Sequence, residues 1–192
     1  MNVSNEFMNV SNKKFLQGVN LYLVGMMGAG KTTVGELLSQ NLGYRFLDTD
    51  NLISQVAGKS INEIFADDGE AVFRQLETNV LAQVSSYKNL TIATGGGIVL
   101  NHFNWSYLQH GIVVWLDVPI EVLHSRLQGD RTRPLLQDRD PLGKLQAILE
   151  ERRPLYANAD VHIHVEPKST PEQLTMLVLA EVKKAVKSSV VN

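Results

Sequence analysis

The sequence predicts an α/β fold in three layers: a five-stranded, mostly parallel sheet with helices on both faces. Two patterns lead there. Five short β-like runs, at 20–24, 44–47, 90–93, 112–116 and 161–165, alternate with longer helical stretches, and that alternation buries both faces of a parallel sheet. The first run passes through a glycine-rich turn into an amphipathic helix, the strand, loop and helix of a parallel unit. A length of 192 residues suits one such domain with its own core.

Composition narrows the function. The chain is 44% hydrophobic and 20% charged, ordinary for a folded globular protein. Its 18 Lys and Arg nearly balance 20 Asp and Glu, for a net charge of -2. Nothing general therefore attracts nucleic acid or an anionic membrane, and neither is expected as a partner. No apolar run approaches the ~20 residues that cross a bilayer. There is no cysteine, so disulfides, thiolate nucleophiles and Cys-based zinc sites are excluded, and the cytoplasm is the simplest location. Residues 1–18 read as a flexible polar tail, with the domain at 19–192. The tail repeats MNVSN, too short a unit for a repeat architecture, and has no signal-peptide core.

In chain order, the first helix runs from the glycine-rich turn to about Asn41, with Val34, Leu37, Leu38 and Leu42 as its apolar stripe and Gly43 as its stop. Between the second and third strands, Ser60 and Glu63 have capping-box spacing. Ala71, Val72, Leu76, Val80 and Leu81 continue a helical pattern after a break at Asp68-Gly69, so a helical insert spans about 50–86. Pro119 and Pro141 read as first-turn prolines, and Thr170-Pro171-Glu172-Gln173 combines a cap, a first-turn proline and a capping-box glutamine. The polar segment at 128–140, rich in Arg and Asp, has no apolar period and reads as a mobile surface loop.

Residues 25–32, GMMGAGKT, fit the phosphate-loop pattern G-x-x-x-x-G-K-[ST] in full. Successive backbone N–H groups and the helix N-terminus converge on phosphate oxygens, and glycines at 25, 28 and 30 allow the close backbone approach. Gly28, Ala29, Gly30, Lys31, Thr32 and Thr33 are the candidate ATP-binding residues. Lys31 supplies a point charge to the β- and γ-phosphates and Thr32 a hydroxyl ligand to Mg²⁺. The loop alone does not separate a kinase from a hydrolase or a nucleotide-gated binding protein.

The acceptor half is read from several segments. The third strand leads directly into Gly95-Gly96-Gly97, with no carboxylate where a metal-associated acid commonly follows a buried strand. Asp48 and Asp50, at the end of the second strand, are the replacements, because parallel strands present their C-terminal ends on the rim that carries the phosphate loop. Asp48 then holds Mg²⁺ through water, and Asp50 orients and deprotonates an alcohol. Capping and turn-forming aspartates fit the same segment. Three glycines suggest backbone approached closely by a ligand, or a plain turn. Arg74 and Glu77, three apart on a helix, have the spacing of a surface ion pair, and Arg152 that of a cation near a helix end. Six of eight arginines, at 126, 131, 133, 139, 152 and 153, point to a local anion site or a solvated basic face.

Taken together, GMMGAGKT at 25–32, DTD at 48–50, FRQLE at 73–77, GGG at 95–97, RPLL at 133–136 and RRPLY at 152–156 resemble the shikimate kinase family over roughly 21–182. The resemblance implies the nucleoside-monophosphate-kinase-like P-loop kinase fold, with strand order 2-3-1-4-5 and a lid at about 128–140. It implies ATP-dependent phosphorylation of shikimate at the 3-hydroxyl, in chorismate and aromatic amino-acid biosynthesis, by a monomer using one Mg²⁺ with ATP. It implies that Asp50, Arg74, Gly96 and Arg152 bind shikimate and that Arg133, assisted by Arg131, is the lid arginine over ATP. With Lys31 and Asp50, Arg133 completes the catalytic set. A guanidinium fork matches a carboxylate and an aspartate accepts from ring hydroxyls. A kinase for another small acid, such as gluconate, and a silent ATP-binding module are the rival readings.

His162 and His164 alternate on the fifth strand, but no third ligand with suitable spacing follows. They read as an ordinary polar strand face. Trp105 and Trp115 read as packing residues.

Overall fold

Leu21–Val24 (β1), Arg45–Asp48 (β2), Leu90–Ala93 (β3), Ile112–Asp117 (β4) and Val161–His164 (β5) form one parallel sheet in the order β2-β3-β1-β4-β5. The structure is a computed structural model that describes residues 16–128 and 140–190, with side chains to 187. Position in the sheet explains each strand's composition. Central β1 and β3 are buried at every residue and wholly or nearly apolar, as expected of strands covered on both faces. Edge strand β5 alternates, with Val161 and Ile163 inward and His162 and His164 outward. Register sets Leu21 opposite Thr91 on one side and Ile112 on the other, so the C-terminal ends of the strands share one rim.

Helix α1 (Lys31–Leu42) buries Val34, Leu38 and Leu42 and stops at Gly43, whose φ of 64° is left-handed. Gly35 lies inside this helix because a Cβ there would come within 2.6 Å of the Phe46 ring on β2. The price in helix propensity, about 1 kcal/mol, lets α1 lie close on the sheet. On the same face α1 packs against α7 (Pro171–Val190). The N-terminus of α7 carries the expected reciprocal cap between Thr170 and Gln173.

The insert begins at α2 (Thr49–Ala57), capped by Asp48, which accepts from the N–H groups of Asp50 and Asn51. The Ser60–Glu63 capping box is present and opens a single turn, Ile61–Glu63, that continues as a π-helical turn, Ile64–Asp68. Gly69, with φ of 86°, breaks the path before α3 (Gly69–Ser85). A 3₁₀ turn, Ile98–Leu100, and α4 (His102–Leu108) precede β4. Helix α5 (Ile120–Leu127) follows β4, and α6 (Pro141–Tyr156) precedes β5. Pro141 occupies the first turn of α6 as expected, whereas Pro119 is the N-cap of α5, one residue before the helix. Trp105 is partly buried and Trp115 is buried, both packed with the core. Among the described residues no helix is long and apolar enough to cross a membrane.

Candidate active site

The phosphate loop leaves β1 and enters α1 with Gly25, Gly28 and Gly30 at φ of 138°, 75° and 90°, a region that only glycine occupies at little cost. A Cβ on Gly25 would lie 2.7 Å from the Leu116 carbonyl oxygen of β4, so sheet packing demands glycine there as well. Lys31, in the first turn of α1, is 9% exposed and donates from Nζ to the carbonyls of Gly25 and Met26, each at 2.8 Å. These bonds hold the ammonium across the mouth of the loop. Ala29 is buried and its N–H is taken by the Met26 carbonyl at 3.2 Å. It therefore shapes the loop from within.

Thr32 Oγ1 donates to Asp48 Oδ2 at 2.9 Å, which joins the start of α1 to the end of β2. Both donor atoms are oxygens at an exposed rim, a set that suits a hard divalent cation retaining most of its waters. The residues present therefore fit the magnesium ion expected with a nucleotide. Lys31, Thr32, Thr33, Asp50 and Gly96 line one cleft of about 250 Å³ at this rim.

The three glycines after β3 have three different reasons. The Thr94 hydroxyl and N–H both donate to the Leu23 carbonyl, which pins the turn to β1. A Cβ on Gly95 would lie 2.8 Å from Asp50 Oδ1 and 2.9 Å from Glu77 Oε1. One on Gly96 would press on the loop, 3.3 Å from the Met27 nitrogen, and one on Gly97 would fall 2.5 Å from Arg74 Nη1. The turn is thus wedged between two carboxylates, the phosphate loop and a guanidinium. Tyr156 of α6 donates to the Gly96 carbonyl at 2.5 Å. Burial pushes its hydroxyl up to about 12, against the pull of Arg152, so it remains a donor.

Arg74 and Arg152 reach one cleft of about 520 Å³ from opposite sides, α3 and α6, over apolar walls that include Met27, Phe65 and Ile148. Arg152 is 9% exposed, and its buried Nε has no hydrogen-bond partner among the described residues. An unsatisfied buried donor beside a cleft fits an acceptor that arrives with a ligand. Met27 also borders the phosphate cleft, so the two clefts share a wall.

Two residues of this site escaped sequence reasoning. Glu77 does form an ion pair with Arg74, at 2.9 Å, but the carboxylate is 1% exposed. The spacing of a surface ion pair thus hides a buried acid behind a partly exposed Arg74. Desolvation raises the Glu77 pKa; Arg74 opposes that shift, Asp50 adds to it, and Arg152 opposes it. The signal was available, since Phe73, Glu77, Val80, Leu81 and Val84 share the buried face of α3, which puts an acid on an apolar stripe. Arg126, on α5, donates to the Gly28 carbonyl at 3.1 Å across 98 positions of sequence. Arg131 and Arg133 lie outside the described residues.

The family model described as SKI: Shikimate kinase matches residues 27–183. The chain belongs to the shikimate kinase family. The shikimate kinase of Trichormus variabilis is 62% identical over 177 residues, covering 92% of this chain and 98% of the relative. That of Synechococcus elongatus is 55% identical over 174 residues, 91% and 92% of the two chains. Among solved structures, shikimate kinase from Acinetobacter baumannii in complex with shikimate superposes with a TM-score of 0.86 at 42% identity, covering 90% of this chain and 97% of that one. Membership of the shikimate kinase family brings with it the kinase reaction, an ATP cosubstrate and a divalent metal, and it accords with the strand order found here.

Proposed function

We infer that this kinase transfers the γ-phosphoryl group of ATP to the 3-hydroxyl of shikimate, giving shikimate 3-phosphate and ADP, a step toward chorismate and the aromatic amino acids. The observation that carries the reading is the meeting of two clefts. Asp50 and the phosphate loop line one, while Arg74 and Arg152 line the other behind the shared Met27 wall.

That arrangement supports the following residue roles. Arg74 and Arg152 receive the carboxylate of shikimate and fix which end of the ring points at the nucleotide. The Gly96 backbone lets the ring come close to the loop. Asp50 accepts the proton of the 3-hydroxyl as that oxygen bonds to the γ-phosphorus and the bond from phosphorus to the bridging β-γ oxygen breaks. The ammonium of Lys31, already held over the loop by two carbonyls, draws off charge from the transferring group. Thr32 and, through water, Asp48 would hold one Mg²⁺, which when bound neutralises phosphate charge. The loop amides of Gly28 and of Gly30 to Thr33 cradle the phosphates, on a loop that Ala29 shapes from within.

The proposal keeps Arg133 as the lid arginine, on the match at 133–136 alone, within a lid at about 128–140 that excludes water. It treats 19–192 as one kinase domain with acceptor helices at about 50–86 behind a tail at 1–18. It also takes the working unit to be a monomer. The absence of cysteine and the ATP requirement support action in the cytoplasm.

Phosphorus NMR of the product, with shikimate and gluconate offered separately, tests the reading. A phosphate ester at the 3-hydroxyl of shikimate supports it. Phosphorylation of gluconate in place of shikimate would overturn it.

A further inference from the structure

Asp117 ends β4 beside its register partner His164 on β5, and His162 lies two residues earlier on the same outward face. His162 Nε2 is 3.1 Å and His164 Nδ1 3.3 Å from the same oxygen, Asp117 Oδ2. The third ligand that spacing along β5 does not offer comes instead from the neighbouring strand. One ligand atom from each of the three residues lies within 4.8 Å of the other two, an arrangement that recurs in no other group of His, Asp or Glu among the described residues.

Donor atoms around a tetrahedral ion bound at about 2.0–2.2 Å are about 3.3–3.6 Å apart. The two nitrogen-oxygen edges here, 3.1 and 3.3 Å, are already close to that length. Two imidazoles and one carboxylate form a borderline donor set, suited to zinc-like ions and poorly suited to Mg²⁺. The His162 ring is preorganised: it stacks on Trp115 with centroids 4.0 Å apart and planes inclined by 8°.

We propose that Asp117, His162 and His164 bind a divalent transition-metal ion of the zinc type at the β4–β5 edge, separately from the Thr32–Asp48 site. Arg153 is the competitor. Its Nη1 donates to the same Asp117 oxygen at 3.0 Å, and the side chain is half exposed, so it can swing into water as an ion arrives. Asp117 is buried and would otherwise hold three cationic or donor groups, which makes it the fixed point around which metal and arginine exchange.

The test is calorimetric titration of Zn²⁺ into the full chain without an affinity tag, in excess Mg²⁺ so that the Thr32–Asp48 oxygens are taken. One equivalent should bind, and His164→Ala, a change at an exposed edge, should weaken it at least ~10-fold. Arg153→Gln should tighten binding, because it removes the competing cation; a purely structural arginine would not produce that sign. Co²⁺ should also quench Trp115 fluorescence in the wild type and lose that effect in His164→Ala. Absence of saturable Zn²⁺ binding, or equal affinity in His164→Ala, would overturn the assignment.

Discussion

Arg74 and Glu77 pair at 2.9 Å across one turn of α3, with the carboxylate 1% exposed and the guanidinium side chain 22% exposed. The buried acid orients the guanidinium, whose Nε and Nη2 also donate to Glu70 Oε1 at the cleft edge. Arg74 is thereby fixed before any ligand arrives, which lowers the entropy lost on binding a carboxylate.

Arg74→Ala and Arg152→Ala should each weaken shikimate binding by roughly 10- to 150-fold, the value of a hydrogen bond to a charged group, with ATP affinity little changed. Calorimetry with each ligand separately checks this. Equal losses for both ligands would place the arginines elsewhere.

Gly97→Ala tests the same contact from the other side. Its Cβ would sit 2.5 Å from Arg74 Nη1 and 2.7 Å from Nη2, so the guanidinium must move. The KM for shikimate should rise by about tenfold or more, as a displaced positioning group costs, while the KM for ATP stays near wild type.

Asp50→Asn should lower kcat by about 10²- to 10⁴-fold, the usual contribution of a positioned base. Nucleotide binding should persist, because the Thr32–Asp48 bond is untouched. Rapid-quench turnover with equilibrium ATP binding separates the two effects.

Glu77 gives a pH signature. Its pKa is raised above 4.5 by burial, so the folded protein keeps this proton where the unfolded chain has lost it. The stability tied to the protonated form is full below about 4.5 and is lost as pH rises through the higher folded value. Urea midpoints should therefore fall more steeply with pH in that window for wild type than for Glu77→Gln. Parallel profiles would show that Glu77 does not titrate there.

The sheet and the phosphate loop were legible because their signals are local. Gly43, the Ser60–Glu63 box and Pro141 each act on neighbours within one turn, and all three hold. Pro119 sits one residue before the first turn, at the N-cap of α5. The family was legible as a combination of motifs, whereas single spacings left other readings of the aspartates and arginines open. What stayed hidden depends on distance in sequence. Arg126 finds Gly28 across 98 positions, and Asp117 joins His162 across 45; only the strand order brings such residues together. Pro154, inside α6, defies its local rule, and the helix still carries Tyr156 to the Gly96 carbonyl.

Shikimate-dependent release of ADP tests the central claim most directly. With ATP and Mg²⁺ present, adding shikimate should start ADP production, one ADP for each shikimate 3-phosphate formed, and Asp50→Asn should nearly abolish it. ATP binding with no ADP release on adding shikimate would contradict the account.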